Sequence, residues 1–306
     1  MSIKVSSVSK VYGSQIAVND ISFEAKNGEI IGFLGPNGAG KSTMMKILTG
    51  FLKPDSGEVF VNYIDVLKNP IKAQKTIGYL PENNALYKDM YVREYLHFCA
   101  SVFKLSMLNN LTVKEQIEIC IKKVGLQSES HKKIHQLSKG YQQRVGIAAA
   151  ILHNPTVLIL DEPTTGLDPN QLAEIRTLIK ELGKEKTVLF STHIMQEVEA
   201  VCDRVIIVKK GEILVNELLK NLQKNSLQII EVVFDLNVAK EIINQIPNVI
   251  SAKKSENQWQ ITFDTQKDMR SKIFDFAQEN NLKILELSSK NKNLETRGFY
   301  ISRIAG

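Results

Sequence analysis

The sequence predicts an α/β fold: a mostly parallel sheet with helices on its faces, enlarged by a helical block and followed by a smaller α+β segment. Three observations predict it. An apolar, β-favouring run, Glu29-Ile30-Ile31-Gly32-Phe33-Leu34, passes through a glycine-rich loop into a helical pattern with Met44, Met45, Ile47 and Leu48 on its buried side. Short apolar strands then alternate with helical patterns over residues 157–208. After Val215 the order becomes β-α-β-β-α-β, which is the ferredoxin-like pattern.

Each element has a local reason. Ile3, Val5 and Val8 alternate with polar residues, as an edge strand does. Lys10-Val11-Tyr12-Gly13 follows, then a second strand near 17–23, and Asn27-Gly28 reads as a hairpin turn. Beyond the glycine loop and its helix, Pro54-Asp55-Ser56-Gly57 turns the chain into a strand at 58–61. A short strand at 77–80 ends in a polar loop carrying Glu82.

From 91 to 124 the apolar residues fall at helical spacing, among them Tyr95, Phe98, Cys99, Val102, Val113, Ile117, Cys120, Ile121 and Val124. This marks an inserted helical subdomain of about 90–150, which runs on through Leu137-Ser138-Lys139-Gly140-Tyr141-Gln142-Gln143-Arg144 to a helix at 145–153. Pro155 stops that helix, and Val157-Leu158-Ile159-Leu160 is a buried strand ending in Asp161-Glu162-Pro163. A helix at 171–182, a strand at 187–190, Ser191-Thr192-His193, a helix at 194–201 and a strand at 205–208 complete the larger part. Residues 216–226 read as a helix or linker. The remainder reads as strand 227–234, helix 238–246, strands 249–254 and 259–263, helix 268–280 and strand 283–287. The expected domains are therefore 1–216 and 217–306.

Composition narrows the function classes. The chain has 306 residues, 43% hydrophobic and 24% charged, which is ordinary globular material. A net charge of +6 permits contact with anionic lipid or nucleic acid without demanding either, because Lys and Arg are scattered rather than blocked. Cys99, Cys120 and Cys202 are far apart and form no C-x-x-C pair, which argues against a disulfide framework or a zinc site and fits reduced thiols in the cytoplasm. The N-terminus lacks an apolar h-region, so no signal peptide is expected. The apolar stretches fall short of the ~20 residues a membrane span needs, so any work at a membrane passes through a partner.

The chemistry concentrates in Gly35-Pro36-Asn37-Gly38-Ala39-Gly40-Lys41-Ser42-Thr43. In its strand–loop–helix setting this G-x-x-x-x-G-K-S run makes a phosphate cradle from backbone N–H groups and a helix N-terminus, with Lys41 reaching the outer phosphates and the Ser42 hydroxyl available to Mg²⁺. Asp161, ending a buried strand, completes a metal shell, and Glu162 orients and deprotonates an attacking water. His193 follows the next strand and contacts the terminal phosphate or holds Glu162, although a lone histidine is as readily structural. Ser138 caps a helix whose exposed N–H groups, with Lys139 beside them, offer a second anion site; an ordinary capped helix reads the same way. Tyr12 stacks on a base or simply packs, and Glu82 reaches the metal or a water.

Taken together these residues resemble the ATP-binding subunit of an ABC transporter. Residues 35–43 resemble its Walker A, Leu158-Ile159-Leu160-Asp161-Glu162 its Walker B with the catalytic glutamate, and 137–142 its signature motif. Thr165-Gly166-Leu167-Asp168 resembles the D-loop, His193 the switch histidine and Tyr12 the A-loop aromatic, over about residues 1–216. The resemblance implies a P-loop ATPase of ABC type, with a mixed sheet core and helical subdomain, that binds ATP and Mg²⁺. It implies a head-to-tail homodimer in which Ser138 and Gly140 cap ATP held by the other copy. It also implies a separate multi-span membrane permease as partner, no nucleic acid, and a place on the inner face of the cell membrane. Lys139 and Tyr141 in the signature, and Glu82 at the Q-loop position, resemble the ABC-2-type exporter branch that includes gliding-motility subunits. Residues 297–306 do not resemble the acidic–apolar helix expected there. The rival readings are a soluble ABC-type ATPase acting on nucleic acid or ribosomes, supported only by the charge, and a non-hydrolysing nucleotide sensor, which Glu162 and His193 oppose.

Overall fold

A computed structural model describes residues 1–107, 110–224, 228–265 and 267–291. The tail 297–306 lies outside the described residues. The chain divides into two units, Met1–Glu217 and Leu218–Gly306.

The first unit opens with β1 (Ile3–Tyr12) and β2 (Gln15–Ala25), then β3 (Ile30–Leu34), α1 (Lys41–Leu48), β4 (Ser56–Val61), β5 (Ile64–Asp65), α2 (Pro70–Gln74) and β6 (Ile77–Leu80). Next come α3 (Val92–Val102), α4 (Val113–Lys123) and α5 (Lys139–Ile151). The unit closes with β7 (Val157–Asp161), α6 (Pro169–Gly183), β8 (Thr187–Thr192), α7 (Met195–Val201), β9 (Arg204–Lys209) and β10 (Glu212–Leu218).

Two sheets form. A six-stranded sheet runs β10-β9-β3-β8-β7-β6 and is parallel from β9 to β6. A second, antiparallel sheet runs β2-β1-β4-β5. Two sequence expectations are corrected here. β1 is an interior strand, because its alternating face is covered while both of its edges pair. Asn27-Gly28 does turn, with Gly28 at φ 72, but it joins two sheets instead of closing a hairpin. The hairpin is β1–β2, where Tyr12 pairs with Gln15.

The central strands explain their own composition. On β7, Leu158 and Leu160 enter one core with α3–α6, whereas Val157 and Ile159 enter the other with α1 and the antiparallel sheet. A strand covered on both faces must be apolar throughout. The helical stretch at 91–124 is two helices, each with its own capping arrangement, including a capping box of Thr112 and Glu115 at α4. Among the described residues no helix is long and apolar enough to cross a membrane.

The second unit holds α8 (Leu219–Lys224), β11 (Gln228–Phe234), α9 (Lys240–Ile243), β12 (Val249–Ser255), β13 (Gln258–Phe263), α10 (Arg270–Glu279) and β14 (Ile284–Asn291). Its antiparallel sheet, β12-β13-β11-β14, has the ferredoxin-like order, and Ile230, Val232, Trp259, Ile261 and Phe263 form its core with Ile243 and Ile273. α9 is shorter than the span 238–246 suggested by apolar spacing.

Candidate active site

The glycine loop leaves the C-terminal end of β3, where open α/β sheets hold ligands. Gly40 sits at φ 101, and a Cβ there would stand 2.2 Å from the Ala17 carbonyl, so only glycine fits. A Cβ on Gly35 would stand 2.5 Å from the Val208 carbonyl of β9. No side chain caps α1, so its first-turn N–H groups remain donors for an anion. Ala39 is buried, and its carbonyl accepts from Gly211 N at 3.1 Å, which anchors the loop.

Lys41 is 5% exposed. Its Nζ donates to the carbonyls of Gly35 at 2.8 Å and Pro36 at 3.2 Å, and lies 3.3 Å from Glu162 Oε1. That last approach is an ion pair without hydrogen-bond alignment.

Asp161, 1% exposed, ends β7, and its Oδ1 accepts from Ser42 Oγ at 3.2 Å and from Ser191 Oγ at 2.5 Å. Glu162 adopts φ 48, a left-handed step immediately after the strand. Its N–H donates to Ser191 Oγ at 2.9 Å, and its Oε2 accepts from Thr165 Oγ1 at 3.1 Å and faces His193 Nδ1 at 2.9 Å. Ser191 therefore fixes both acidic residues, a role the sequence reading did not assign. The available signal was its place beside Asp161, at the same level on the neighbouring strand.

A cleft of about 420 Å³ is lined by Tyr12, Gln15, Ala17, Asn37, Gly38, Gly40, Lys41, Ser42, Thr43, Glu82 and Glu162. The β1–β2 hairpin places Tyr12 and Gln15 side by side, and Lys10 Nζ lies 5.7 Å from the centre of the Tyr12 ring. Gln15 is a further lining residue that sequence reasoning missed. Tyr79 lies close by; burial first, then the charges of Asp161 and Glu82, push its phenol up to about 12, so it stays neutral.

Ser138, Gly140 and Asp168 do not line this cleft. Ser138 caps α5, its Oγ accepting from Tyr141 N at 3.4 Å and from Gln171 Nε2 at 3.3 Å. Gly140 packs under the Gln171 side chain, and Asp168 caps α6 by accepting from Gln171 N at 2.9 Å. Arg144 holds α5 in place, donating to Glu174 of α6 and to the Val124 carbonyl, each at 2.6 Å. Asn84 Nδ2 donates to the Gln142 carbonyl at 3.2 Å, so the loop carrying Glu82 is tied to α5.

The donor set suits Mg²⁺. Ser42 and Asp161 bring two hard oxygens together, and among the described residues no group of three or more His, Cys, Asp or Glu forms an all-protein cage. Magnesium takes few protein oxygens and completes its shell with phosphate and water.

Residues 18–165 match the family model described as ABC transporter. The bacitracin transport ATP-binding protein BcrA of Bacillus licheniformis is 34% identical over 307 residues, covering 99% of this chain and 97% of the relative. The chain belongs to the ABC transporter family, as an ATP-binding subunit. The linearmycin resistance ATP-binding protein LnrL of Bacillus subtilis is 37% identical to this ABC subunit over 213 residues, 69% of this chain and 68% of LnrL. Among solved structures, the dimeric ATP-binding cassette MJ0796, in a post-hydrolysis state bound to ADP and Pi, is 29% identical with a TM-score of 0.63. That match covers 71% of this chain and 98% of the cassette. The subunit is an ATPase of the P-loop ABC type, and it takes ATP with Mg²⁺. Ser42 and Asp161 would hold the metal, which when bound would screen phosphate charge.

Proposed function

We propose that this subunit powers export through a separate multi-span membrane permease, by closing on ATP as a head-to-tail homodimer and reopening after hydrolysis. The observation that carries the reading is the separation of two half-sites. Lys41, Ser42 and Glu162 line one cleft, with Asp161 bonded to Ser42, while Ser138 and Gly140 sit together at the start of α5 outside it. Each half presents a helix N-terminus, and a triphosphate gains most when both face it. Glu162 acts as general base, and His193 holds its carboxylate and the terminal phosphate in register. Ser42 and Asp161 bind the metal, with Glu82 as a further oxygen near it. Tyr12 stacks on adenine, and Asp168 orders the loop that meets the second copy.

Residues 1–216 form the ATP-binding domain and 217–306 an accessory domain. The permease docks on an apolar groove of about 360 Å³ between the core and the helical block, lined by Phe51, Tyr79, Pro81, Tyr95, Phe103 and His153 among others. This places the protein on the cytoplasmic face of the membrane. Support for the ABC-2-type exporter branch comes from Glu82, Lys139 and Tyr141 and from likeness to proteins named for bacitracin transport and linearmycin resistance; the gliding-motility subunits fall in the same branch. The decisive experiment is purification from detergent-solubilised membranes. The subunit co-purifies with a multi-span protein, and Tyr95→Glu abolishes this while leaving ATP binding intact. Recovery without any multi-span protein overturns the transport reading.

A further inference from the structure

Glu197 lies in the first turn of α7 and is 1% exposed. One carboxylate oxygen, Oε2, accepts from Thr192 Oγ1 at 2.6 Å. The other, Oε1, is buried without a hydrogen-bond partner. Among the described residues no cation pairs with it, and the neighbouring Cys202 thiol is pushed well above its ordinary range, first by burial and then by Asp203 and Glu197. Burying a carboxylate this way opposes folding, and an apolar side chain of similar volume would pack there at lower cost. Packing therefore does not account for the residue.

What Glu197 holds does account for it. Thr192 sits one residue before His193, and its hydroxyl is used twice: it donates to Glu197 and accepts from Ile194 N at 3.1 Å. Its carbonyl accepts from Gly35 N at 3.2 Å, at the start of the glycine loop. The backbone on both sides of His193 is thereby fixed, and the imidazole is delivered to Glu162 Oε2 at 2.9 Å. A hydroxyl rotates freely unless a strong acceptor sets its direction. A carboxylate is such an acceptor, and with the hydroxyl proton committed to it, the lone pair is turned toward Ile194 N.

We propose that Glu197 is a positioning residue for ATP hydrolysis, acting through Thr192 to aim His193 at Glu162. The inference rests on the roles given to His193 and Glu162 above. Glu197→Leu removes the acceptor and lowers kcat on the order of tenfold or more, as small misplacements of reacting groups do, while KM for ATP stays within about twofold. Glu197→Gln keeps an oxygen acceptor and retains kcat within about threefold. Thr192→Val reproduces the loss without altering α7, and Thr192→Ser restores it, so the test survives if Glu197→Leu fails to fold.

The deciding measurement is a double-mutant cycle by phosphate release. In a His193→Ala background, Thr192→Val and Glu197→Leu have no further effect on kcat. If each lowers kcat by the same factor with and without His193, the proposal is overturned. If His193→Ala alone leaves kcat unchanged, it is the histidine's assigned role that fails.

Discussion

α1 begins at Gly40, with φ 101 and no side chain over its first amides, whereas α5 begins at Ser138, whose hydroxyl already accepts from Tyr141 N. Both are helix N-termini and both carry a partial positive charge. They differ in what remains to be offered. The α1 amides carry no side-chain cap and Lys41 lines the same cleft, so that end has donors of its own to offer an anion. At α5 the Ser138 oxygen is occupied by two donors, Tyr141 N and Gln171 Nε2, which leaves the hydroxyl proton to donate outward. On the reading proposed above, the first terminus binds the phosphates and the second covers them from the other copy.

Substitutions should therefore sort by terminus. The largest effect belongs to the cleft fed by α1. Glu162→Gln cannot take a proton, and phosphate release falls by about 10²–10⁴, the usual yield of a positioned base, while ATP still binds. Gel filtration of this variant with Mg²⁺ and ATP shows dimers; monomers at every protein concentration would mean that α5 caps nothing. Next, Lys41→Ala removes a buried cation and weakens ATP binding on the order of a hundredfold, in keeping with charge-assisted hydrogen bonds of about 1.5–3 kcal/mol. Equilibrium titration with a fluorescent ATP analogue measures it.

Ser138→Ala sharpens the contrast. It lowers hydrolysis roughly tenfold, as lost transition-state contacts of about 1.4 kcal/mol do, and leaves ATP affinity of the monomer unchanged. It also removes the α5 cap, costing about 1 kcal/mol of stability, visible in urea unfolding. Were it to weaken monomer binding as much as Lys41→Ala, the two termini would not differ as described.

The smallest effect lies just past the other end of α5. His153 stacks on Phe103 with ring centres 4.1 Å apart, and Nε2 meets the Ile77 carbonyl at 3.0 Å. Burial, the dominant cause, and then Lys186 lower its affinity for a proton. The folded chain protonates this ring only at lower pH than the unfolded chain, which protonates it as the pH falls through its ordinary value of 6.5. Its contribution to stability is complete above that pH and declines as the pH falls toward the lower folded value. The melting temperature accordingly drops between pH 7.5 and pH 5.5 by more in the native chain than in His153→Gln, by differential scanning fluorimetry. Equal drops would assign the acid sensitivity to another group.

Much of this was legible in the sequence because the central strands are buried on both faces. Val157-Leu158-Ile159-Leu160 has no polar residue to confuse the reading, and Asp161 and Glu162 break the run where the ligand edge begins. The glycine loop was legible for a similar reason, since few residue types tolerate its backbone. What stayed hidden was pairing. Nothing local to Ile3, Val5 and Val8 shows that β4 covers the second edge of β1, or that β2 and β3 belong to different sheets. The hydroxyl of Ser191, the amide of Gln15 and the carboxylate of Glu197 acquire meaning only through neighbours on other elements, at distances along the chain that no short window spans.

The clasp between Asn84 and the Gln142 carbonyl has a mechanical consequence. Glu82, on the wall of the cleft, stands two positions before the residue that grips the helix beginning at Ser138. A lever anchored that close to its fulcrum has almost no slack. A shift of either anchor pulls directly on the other, along a strip of backbone that also borders the groove at Pro81 and Ala85.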